Sequence, residues 1–189
     1  RELPNLPQDG VKVIGYRQAL SLPTQPKSMI IVGSGAIGVE FADFYNTMGT
    51  KVTIVEFMPN IVPVEDEDIS KQMERSMKKA GVSIMTNASV ERIDTSGNGV
   101  KAFVKTAKGE EVLEADILLS AVGIKTNIEN IGLEETGIAT DRDKILVNAY
   151  YQTNVPGYYA IGDVTPGQAL AHVASAEGIL CVEKIAGLH

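Results

Sequence analysis

Three glycines and one acidic residue stand at a spacing that carries chemical meaning. Gly33, Gly35 and Gly38 form a GxGxxG pattern between a predicted strand and a predicted helix, and Glu56 lies 18 residues after Gly38, at the end of the next strand. Gly33 permits a tight turn, Gly35 leaves room for a phosphate against the backbone, and Gly38 lets the helix pack on the strand. The N-terminus of the helix presents free N–H groups to an anion. Together these features predict a site for a dinucleotide.

Glu56 also bears on which dinucleotide binds. A carboxylate at the end of the second strand can accept both hydroxyls of an adenosine ribose, whereas it would repel a 2′-phosphate. No Arg follows directly, because residues 57–59 are Phe, Met and Pro. We therefore expect NAD rather than NADP. The alternative is a glycine turn in an α/β domain that binds nothing, and it is disfavoured because the loop, the helix and the acid are independent requirements.

Two further residues have both a structural and a chemical interpretation. Glu40 is expected in the first turn of the helix after the loop, where an acid stabilises the helix dipole, and the alternative is a contact to the nicotinamide half of the cofactor. The residues alone favour the structural role. Cys181 stands between Leu180 and Val182 in a helical pattern with no nearby His. We expect it to pack as a small apolar residue and not to act as a nucleophile.

The elements around the glycine loop follow from hydrophobic periodicity. Residues 29–32, 51–56 and 83–85 predict short strands, and helical stripes lie between them. Because crossovers between parallel strands are right-handed, this alternation predicts a parallel sheet covered by helices. Gly81 is expected to end the second helix. The predicted stripes are Ile37, Phe41, Phe44 and Met48 in the first helix and Ile69, Met73, Met77 and Ala80 in the second.

The rest of the chain has a different texture. Residues 90–95, 100–106 and 111–114 alternate in polarity between turn-forming segments and predict a three-stranded antiparallel meander. Residues 1–27 are rich in Pro and Gly and predict a surface segment leading into the domain. The other predicted elements are a strand returning to the parallel sheet at 116–120, short strands at 145–148 and 158–161, and a helix at 169–186.

Composition excludes several classes of function. The chain has 189 residues and a formal net charge of −7, which argues against nucleic acid and anionic membranes as partners. Its single Cys excludes an intrachain disulfide, a four-cysteine zinc site and a CxxC motif, and no metal site is predicted. An unpaired Cys fits a reducing compartment, so we expect a cytoplasmic protein. The first residue is Arg and not Met, which suggests a piece of something longer.

Several segments in this order resemble one family. They are the glycine loop through Glu40, Val55-Glu56, Ala121-Val122-Gly123, residues 159–164 and residues 170–174. The chain resembles the flavin-dependent pyridine nucleotide–disulfide oxidoreductases, most of all the members that oxidise dihydrolipoyl groups. The resemblance covers essentially the whole chain but only the middle of the longer family proteins. It implies an α/β fold, with a Rossmann-like parallel sheet, helices on both faces and a three-stranded antiparallel meander, of the FAD/NAD(P)-binding domain type.

The resemblance assigns roles residue by residue. It implies that Asp163 holds the ribityl chain of FAD, and that Gly123 lies beside the bound nucleotide. Ile37 matches a residue between nicotinamide and flavin, and Glu40 matches a residue near the nicotinamide. For Glu40 the resemblance therefore favours the contact with the cofactor over the structural role. The remaining implied cofactor-binding residues are Gly33, Gly35, Ala36, Gly38 and Glu56 for NAD, and Leu170, Ala171 and His172 against the flavin. His172 is expected to lie beside the flavin and not to serve as a base.

The resemblance also divides the chain. Residues 1–27 would lead in from an FAD domain, 28–125 would form the NAD-binding domain, and 126–189 would begin a central FAD-contacting domain. The redox cysteine pair and the catalytic His of the family are missing here, so the chain alone is expected to be inactive. In the family, Arg often stands where this chain has Ile124.

The implied parent protein would oxidise dihydrolipoyl groups through a redox disulfide and FAD, and reduce NAD+. Its expected partners are the lipoyl domains of 2-oxo acid dehydrogenase or glycine cleavage complexes, and a second copy of itself in a homodimer. Two alternatives stay open at this point. One is another disulfide reductase of the family, of the glutathione, mercuric or transhydrogenase type, and the other is an NAD-binding module without catalysis.

Overall fold

The chain divides between Gly123 and Ile124 into two units. A computed structural model describes residues 3–188. Arg1, Glu2 and His189, at the ends of the predicted first and last domains, lie outside the described residues. Each unit is described by itself below. None of the helices between residues 3 and 188 is long and apolar enough to cross a membrane.

The first unit combines strands, helices and a meander. The meander strands β5, β6 and β7 pair antiparallel in that order, as predicted. The other predicted strands and helices between residues 28 and 120 are also confirmed. The elements are β1 Val13–Ile14, α1 Tyr16–Ala19, β2 Ser28–Val32, α2 Ala36–Thr47, β3 Lys51–Val55, α3 Glu67–Ala80, β4 Ser83–Met85, β5 Ser89–Asp94, β6 Val100–Thr106, β7 Gly109–Ala115 and β8 Ile117–Ser120.

A five-stranded parallel sheet forms the centre of this unit, in the order β1-β8-β2-β3-β4. β2 lies between β3 and β8, and its Ile31 is in register with Ile54 on one side and Leu119 on the other. The chain leaves β2 towards β3 and returns at β8 on the opposite side. The carboxyl ends of β2 and β8 therefore flank the point where the strand order reverses, which is where ligands bind in open α/β sheets.

The two faces of the sheet are covered differently. Met29 and Ile31 point into one cluster with residues of α1, α2 and α3, while Ile30 and Val32 point into another with buried residues of the meander. This alternation explains why residues 29–32 of β2 are all apolar, since both faces of the strand are buried there. The α/β class is confirmed, with one correction. Among the described residues of this unit, the meander and not a second set of helices covers the second face.

The predicted stripe of α2 is only partly correct. Ile37 and Phe41 pack against the helical cluster, but Phe44 and Met48 are each 56% exposed. The buried residues of α2 are Gly38, Val39, Ala42 and Tyr45. The helix lies closest to the sheet where its side chains are smallest, which is at Gly38. The face that meets the sheet therefore differs from the predicted stripe.

The predicted stripe of α3 is also only partly buried. The helix begins as predicted, with the side chain of Asp66 accepting from the Asp68 N–H, and it ends at Gly81 with φ of 105°. Met77 is buried, whereas Ile69 and Met73 are exposed. The apolar periodicity located the helix correctly, but Met77 is the one buried member of the predicted stripe, since Ala80 is also exposed.

The segment before residue 28 was predicted to be a surface connection, and this is wrong in part. Val13 and Ile14 form β1 at the edge of the parallel sheet and are fully buried, as is Leu6. The Asp9 carboxylate stabilises the approach to β1 by accepting from the backbone N–H groups of Val11, Lys12 and Val13. A two-residue strand is too short for periodicity to identify.

The second unit contains short elements and one long helix. The predicted helix at 169–186 is confirmed, but the predicted strand at 158–161 is not, because its only ladder contact within the described residues is a single bridge between Tyr159 and Gln152. The predicted strand at 145–148 is reduced to a two-residue pairing. The elements are α4 Leu133–Thr136, β9 Thr140–Asp141, β10 Lys144–Ile145, a single 3-10 turn Gly162–Val164 and α5 Ala171–Ile185.

Candidate functional site

Two of the loop glycines are required by the fold itself. Gly33 follows β2 with φ of 97°, and a Cβ there would lie 2.6 Å from the carbonyl oxygen of Ala121, just beyond β8. A Cβ on Gly38 would overlap the carbonyl oxygen of Gly33. These contacts confirm that the turn and the helix–strand packing need glycine. They hold the N-terminus of α2 at the switch point of the sheet.

Gly35 differs from both. It is the N-cap of α2, with φ of −65° and ψ of −177°, a conformation open to any residue. No other atom of the described chain, apart from its immediate neighbours, lies within 4 Å of where its Cβ would stand. Nothing in the described fold therefore demands glycine here. The space above it remains open.

The N-terminus of α2 offers donors to that space. The N-cap has no side chain to accept from the first N–H groups, and the first intrahelical bond of this end runs from the Val39 N–H to the Gly35 carbonyl. An α-helix leaves the N–H groups of its first residues, here Ala36, Ile37 and Gly38, without an intrahelical partner, so they can donate to solvent or to an anion. Free donors and the positive end of the helix dipole are what a phosphate group binds.

Glu56 lies beside this loop, as its spacing predicted. Its Oε2 accepts from the Ser34 backbone N–H at 2.8 Å and from the Ser34 hydroxyl at 2.6 Å, and its Oε1 accepts from the Met58 N–H at 2.7 Å. Backbone bonds with Met85 and Ala88 fix the position of Glu56 itself. The carboxylate is thus attached to the glycine loop. Spacing could not reveal the contact with Ser34.

A cavity of about 220 Å³ opens next to the loop in the same unit. Ile37 and Gly123, both predicted near the nucleotide, line it together with residues of α1 and with Ser120. The Ser120 hydroxyl is buried and has no hydrogen-bond partner within residues 3–188. Gly123 has φ of 102°, which explains the glycine at this position without a ligand. The cavity is smaller than the ~300 Å³ of typical ligand pockets, so it suits only part of a dinucleotide.

Glu40 is not in the first turn of α2, so that prediction is wrong. The helix begins at Ala36, and Glu40 lies in its second turn, where the dipole has little effect. It is exposed and lines a groove against α3 with Asp43 and Met73. Stabilisation of the helix dipole therefore does not explain why an acid stands at position 40. Its place near the nicotinamide stays a prediction.

The residues predicted to contact flavin belong to the second unit. Asp163 lies in the 3-10 turn with an exposed side chain, and the Lys144 ammonium donates to its carbonyl at 2.5 Å. Leu170, the N-cap of α5, and the next two residues, Ala171 and His172, are also exposed. Their roles towards flavin stay predictions.

One residue of the second unit was missed from the sequence. Glu177 in α5 is buried, and its Oε2 accepts from the Gly162 N–H at 2.6 Å. It therefore fixes the turn that carries Asp163. Nothing in the sequence indicates that this residue is buried, because an isolated Glu in a helix is usually exposed. Cys181 in the same helix is buried, as predicted.

An open parallel sheet with a glycine loop at its switch point, and an acid after the next strand, defines a dinucleotide-binding domain of the Rossmann class. The comparison with known families specifies the class further. Residues 2–178 match the family described as pyridine nucleotide-disulphide oxidoreductase. The chain belongs to this family.

Individual relatives agree with the family. The chain is 47% identical to a dihydrolipoyl dehydrogenase of Rhizobium etli, over all of this chain and 39% of that protein. It is 46% identical to a dihydrolipoyl dehydrogenase of Chlorobaculum tepidum, over 99% of this chain and 40% of that protein. The chain thus spans about two-fifths of the length of the curated relatives it matches.

Solved structures support the fold. The crystal structure of LpdA from Mycobacterium tuberculosis matches with a TM-score of 0.89 and 32% identity, over 99% of this chain and 40% of that one. The HOCl-induced flavoprotein disulfide reductase RclA from Escherichia coli matches with a TM-score of 0.86 and 30% identity, over 99% of this chain and 43% of that one.

Proposed function

We propose that the chain is the NAD-binding portion of a dihydrolipoyl dehydrogenase-like flavoprotein. The observation that carries this proposal is Gly35. Its backbone conformation does not need glycine, and its Cβ position is open within the described chain, yet it stands at the N-terminus of a helix with free donors. A pyrophosphate that approaches the backbone closely accounts for the missing side chain.

Glu56 supports NAD over NADP. Its carboxylate lies at the end of β3 and is held against the loop by Ser34 and Met58. Its negative charge would repel a 2′-phosphate on the adenosine ribose, and an unmodified ribose hydroxyl would donate to it. The preference for NAD follows from this one charge.

In the whole protein, FAD and a cysteine pair would transfer electrons from dihydrolipoyl groups to NAD+. The residues of this chain would hold and orient the nucleotide, with Ile37, Glu40 and Gly123 towards its nicotinamide half. Asp163 would hold the ribityl chain, and residues 170–172 would lie against the flavin. We propose lipoyl domains of 2-oxo acid dehydrogenase or glycine cleavage complexes as partners, a homodimer as the assembly and the cytoplasm as the location.

Calorimetric titration of the 189-residue chain with NADH and with NADPH tests the proposal. NADH is expected to bind with a dissociation constant below the millimolar range, and NADPH at least about tenfold more weakly, which corresponds to ~1.4 kcal/mol. Absence of NADH binding at millimolar concentration, in a sample that unfolds cooperatively on heating, would contradict the loop's role. Equal affinity for the two nucleotides would contradict the role of Glu56.

A further inference from the structure

The serine inside the glycine loop makes an unusual contact for a residue at its position. Ser34 is 0% exposed, and both its backbone N–H and its hydroxyl donate to the same oxygen, Oε2 of Glu56. The other oxygen, Oε1, accepts from the Met58 N–H. Glu56 is itself only 7% exposed. A buried carboxylate of this kind needs hydrogen-bond donors to offset the loss of its hydration.

The two carboxylate oxygens of Glu56 therefore accept different numbers of hydrogen bonds. A carboxylate has about two acceptor positions on each oxygen. The two donors from Ser34 occupy both positions on Oε2, and the Met58 N–H occupies one on Oε1. Among residues 3–188 these three are the donors to the carboxylate, so the remaining position is on Oε1. A ribose hydroxyl that reaches the carboxylate would thus meet Oε1, with Oε2 turned towards the loop.

We propose that Ser34 is a positioning residue for nucleotide recognition: its hydroxyl orients the Glu56 carboxylate so that Oε1 faces the ribose, and it thereby contributes to the preference for NAD over NADP. This inference rests on the proposed function, since it assumes that NAD binds at the loop. It adds a specificity determinant that the GxGxxG pattern does not contain, because the pattern leaves the residue between the first two glycines free.

The physical basis is preorganisation. Without the hydroxyl, each oxygen of the carboxylate keeps one backbone donor, the N–H of residue 34 on Oε2 and the Met58 N–H on Oε1. Rotation about the terminal torsion, which is intrinsically broad, is then restricted by two hydrogen bonds instead of three. Nucleotide binding would then have to restrict that rotation. We expect Ser34→Ala to weaken NADH binding by about 3- to 10-fold, the loss typical of a disordered binding group. NADPH, which gains nothing from Glu56, should lose less.

A purely structural role is the competing explanation, in which the hydroxyl only stabilises the loop. A double-mutant cycle separates the two. The proteins are the unmodified chain, Ser34→Ala, Glu56→Ala and the double variant, each titrated with NADH and with NADPH by calorimetry. Ser28→Ala is the matched control, because it removes a hydroxyl from the opposite end of the same strand, where the Ser28 Oγ accepts from the Asp116 N–H.

The proposal expects Ser34→Ala to weaken NADH binding and to narrow the ratio of NADH to NADPH affinity, while Ser28→Ala changes neither. In the Glu56→Ala background, the same Ser34 substitution should change NADH affinity by less than about twofold, because the residue acts through Glu56. An equal loss in both backgrounds would overturn the proposal in favour of a structural role. Tighter NADH binding by Ser34→Ala would also overturn it, since the hydroxyl would then compete with the ribose.

Failure of the two proposals can be told apart. If the unmodified chain binds no NADH, the proposed function fails. If it binds NADH and Glu56→Ala weakens this binding, but Ser34→Ala does not, only the present inference fails. Thermal unfolding of each variant monitors the fold, and Ser34→Cys replaces Ser34→Ala if the alanine variant does not fold, because it keeps a side chain of similar size and replaces the hydroxyl by a much weaker donor.

Discussion

Replacing Gly35 by Ala separates the demands of the fold from those of the ligand. The Cβ would meet no atom of the described chain within 4 Å beyond its neighbours, and φ of −65° suits alanine. We therefore expect Gly35→Ala to fold normally and to bind NADH at least about tenfold more weakly, a loss of ~1.4 kcal/mol or more. The reason is that the new methyl group would occupy the approach of the pyrophosphate to the backbone.

The expected change in stability is small because two effects oppose each other. Alanine restricts the unfolded chain and so stabilises the fold by about 0.4–1 kcal/mol. It is also a poorer N-cap than glycine, at a cost of roughly 0.5–1 kcal/mol. The net change in the free energy of unfolding should stay within about 1 kcal/mol. Calorimetric titration with NADH and thermal unfolding of the same sample measure both quantities.

Two comparisons complete this test. Gly38→Ala should destabilise the chain by about 1–3 kcal/mol or more, because its Cβ would overlap the Gly33 carbonyl oxygen. Gly97→Ala is the control, since its Cβ position is equally open and lies in the turn between β5 and β6. It should change neither NADH affinity nor the fold. Unchanged NADH affinity in Gly35→Ala would refute the reasoning that a phosphate lies against this residue.

Three other expectations follow from the same structure. Glu56→Ala should weaken NADH binding by about tenfold and bring NADH and NADPH affinities together, and titration of both nucleotides would show whether the gap persists. Asp9→Ala should destabilise the chain by about 1 kcal/mol near neutral pH, as removal of a capping carboxylate does. Burial raises the pKa of Asp9, but hydrogen bonds from Val13, Val11 and Lys12 outweigh this and hold it below its ordinary value of 3.8. This contribution is therefore present above about pH 3.8 and lost as the pH falls through the lower folded value, so the denaturation midpoints of the two proteins should converge in acid and not at neutral pH. With Cys181 as its single cysteine, the chain should produce no NADH from NAD+ and dihydrolipoamide when FAD is added, and any sustained rise in absorbance at the NADH maximum would contradict this.

The parts of the fold that could be predicted are those governed by local pattern. Residues 29–32 of β2 are all apolar, and α3 has acids before it and Gly81 after it, so both elements were located closely. The meander followed from alternation and turn residues. β1 could not be predicted, because two residues carry no periodicity and its burial comes from pairing with β8, which is more than 100 residues away.

Errors elsewhere have equally specific causes. Residues 158–161 resemble a strand in composition, but in the part of the chain that the structure describes Tyr159 forms just a single bridge, with Gln152. The stripe of α2 was assigned to its large side chains, whereas the contact with the sheet runs through Gly38 and Ala42. In each case tertiary packing overrode local preference.

The candidate site was predictable where backbone geometry dictates residue type. Gly33 and Gly38 are demanded by close approach, and spacing alone located Glu56 directly after β3. Ser34 and Glu177 escaped prediction, because each acts through a hydrogen bond to a distant residue, and no pattern in the chain encodes the pairing. Such contacts become visible only in the folded chain.

Backbone amide NMR of the chain during titration with NADH tests the central claim most directly. If the glycine loop and Glu56 bind the nucleotide, the largest changes in chemical shift should fall on Ser34, Gly35, Ala36 and Ile37, and on Met58, whose N–H donates to Glu56. Changes confined to the cavity between residues 125 and 143 in the second unit, or no change at millimolar NADH, would contradict the account.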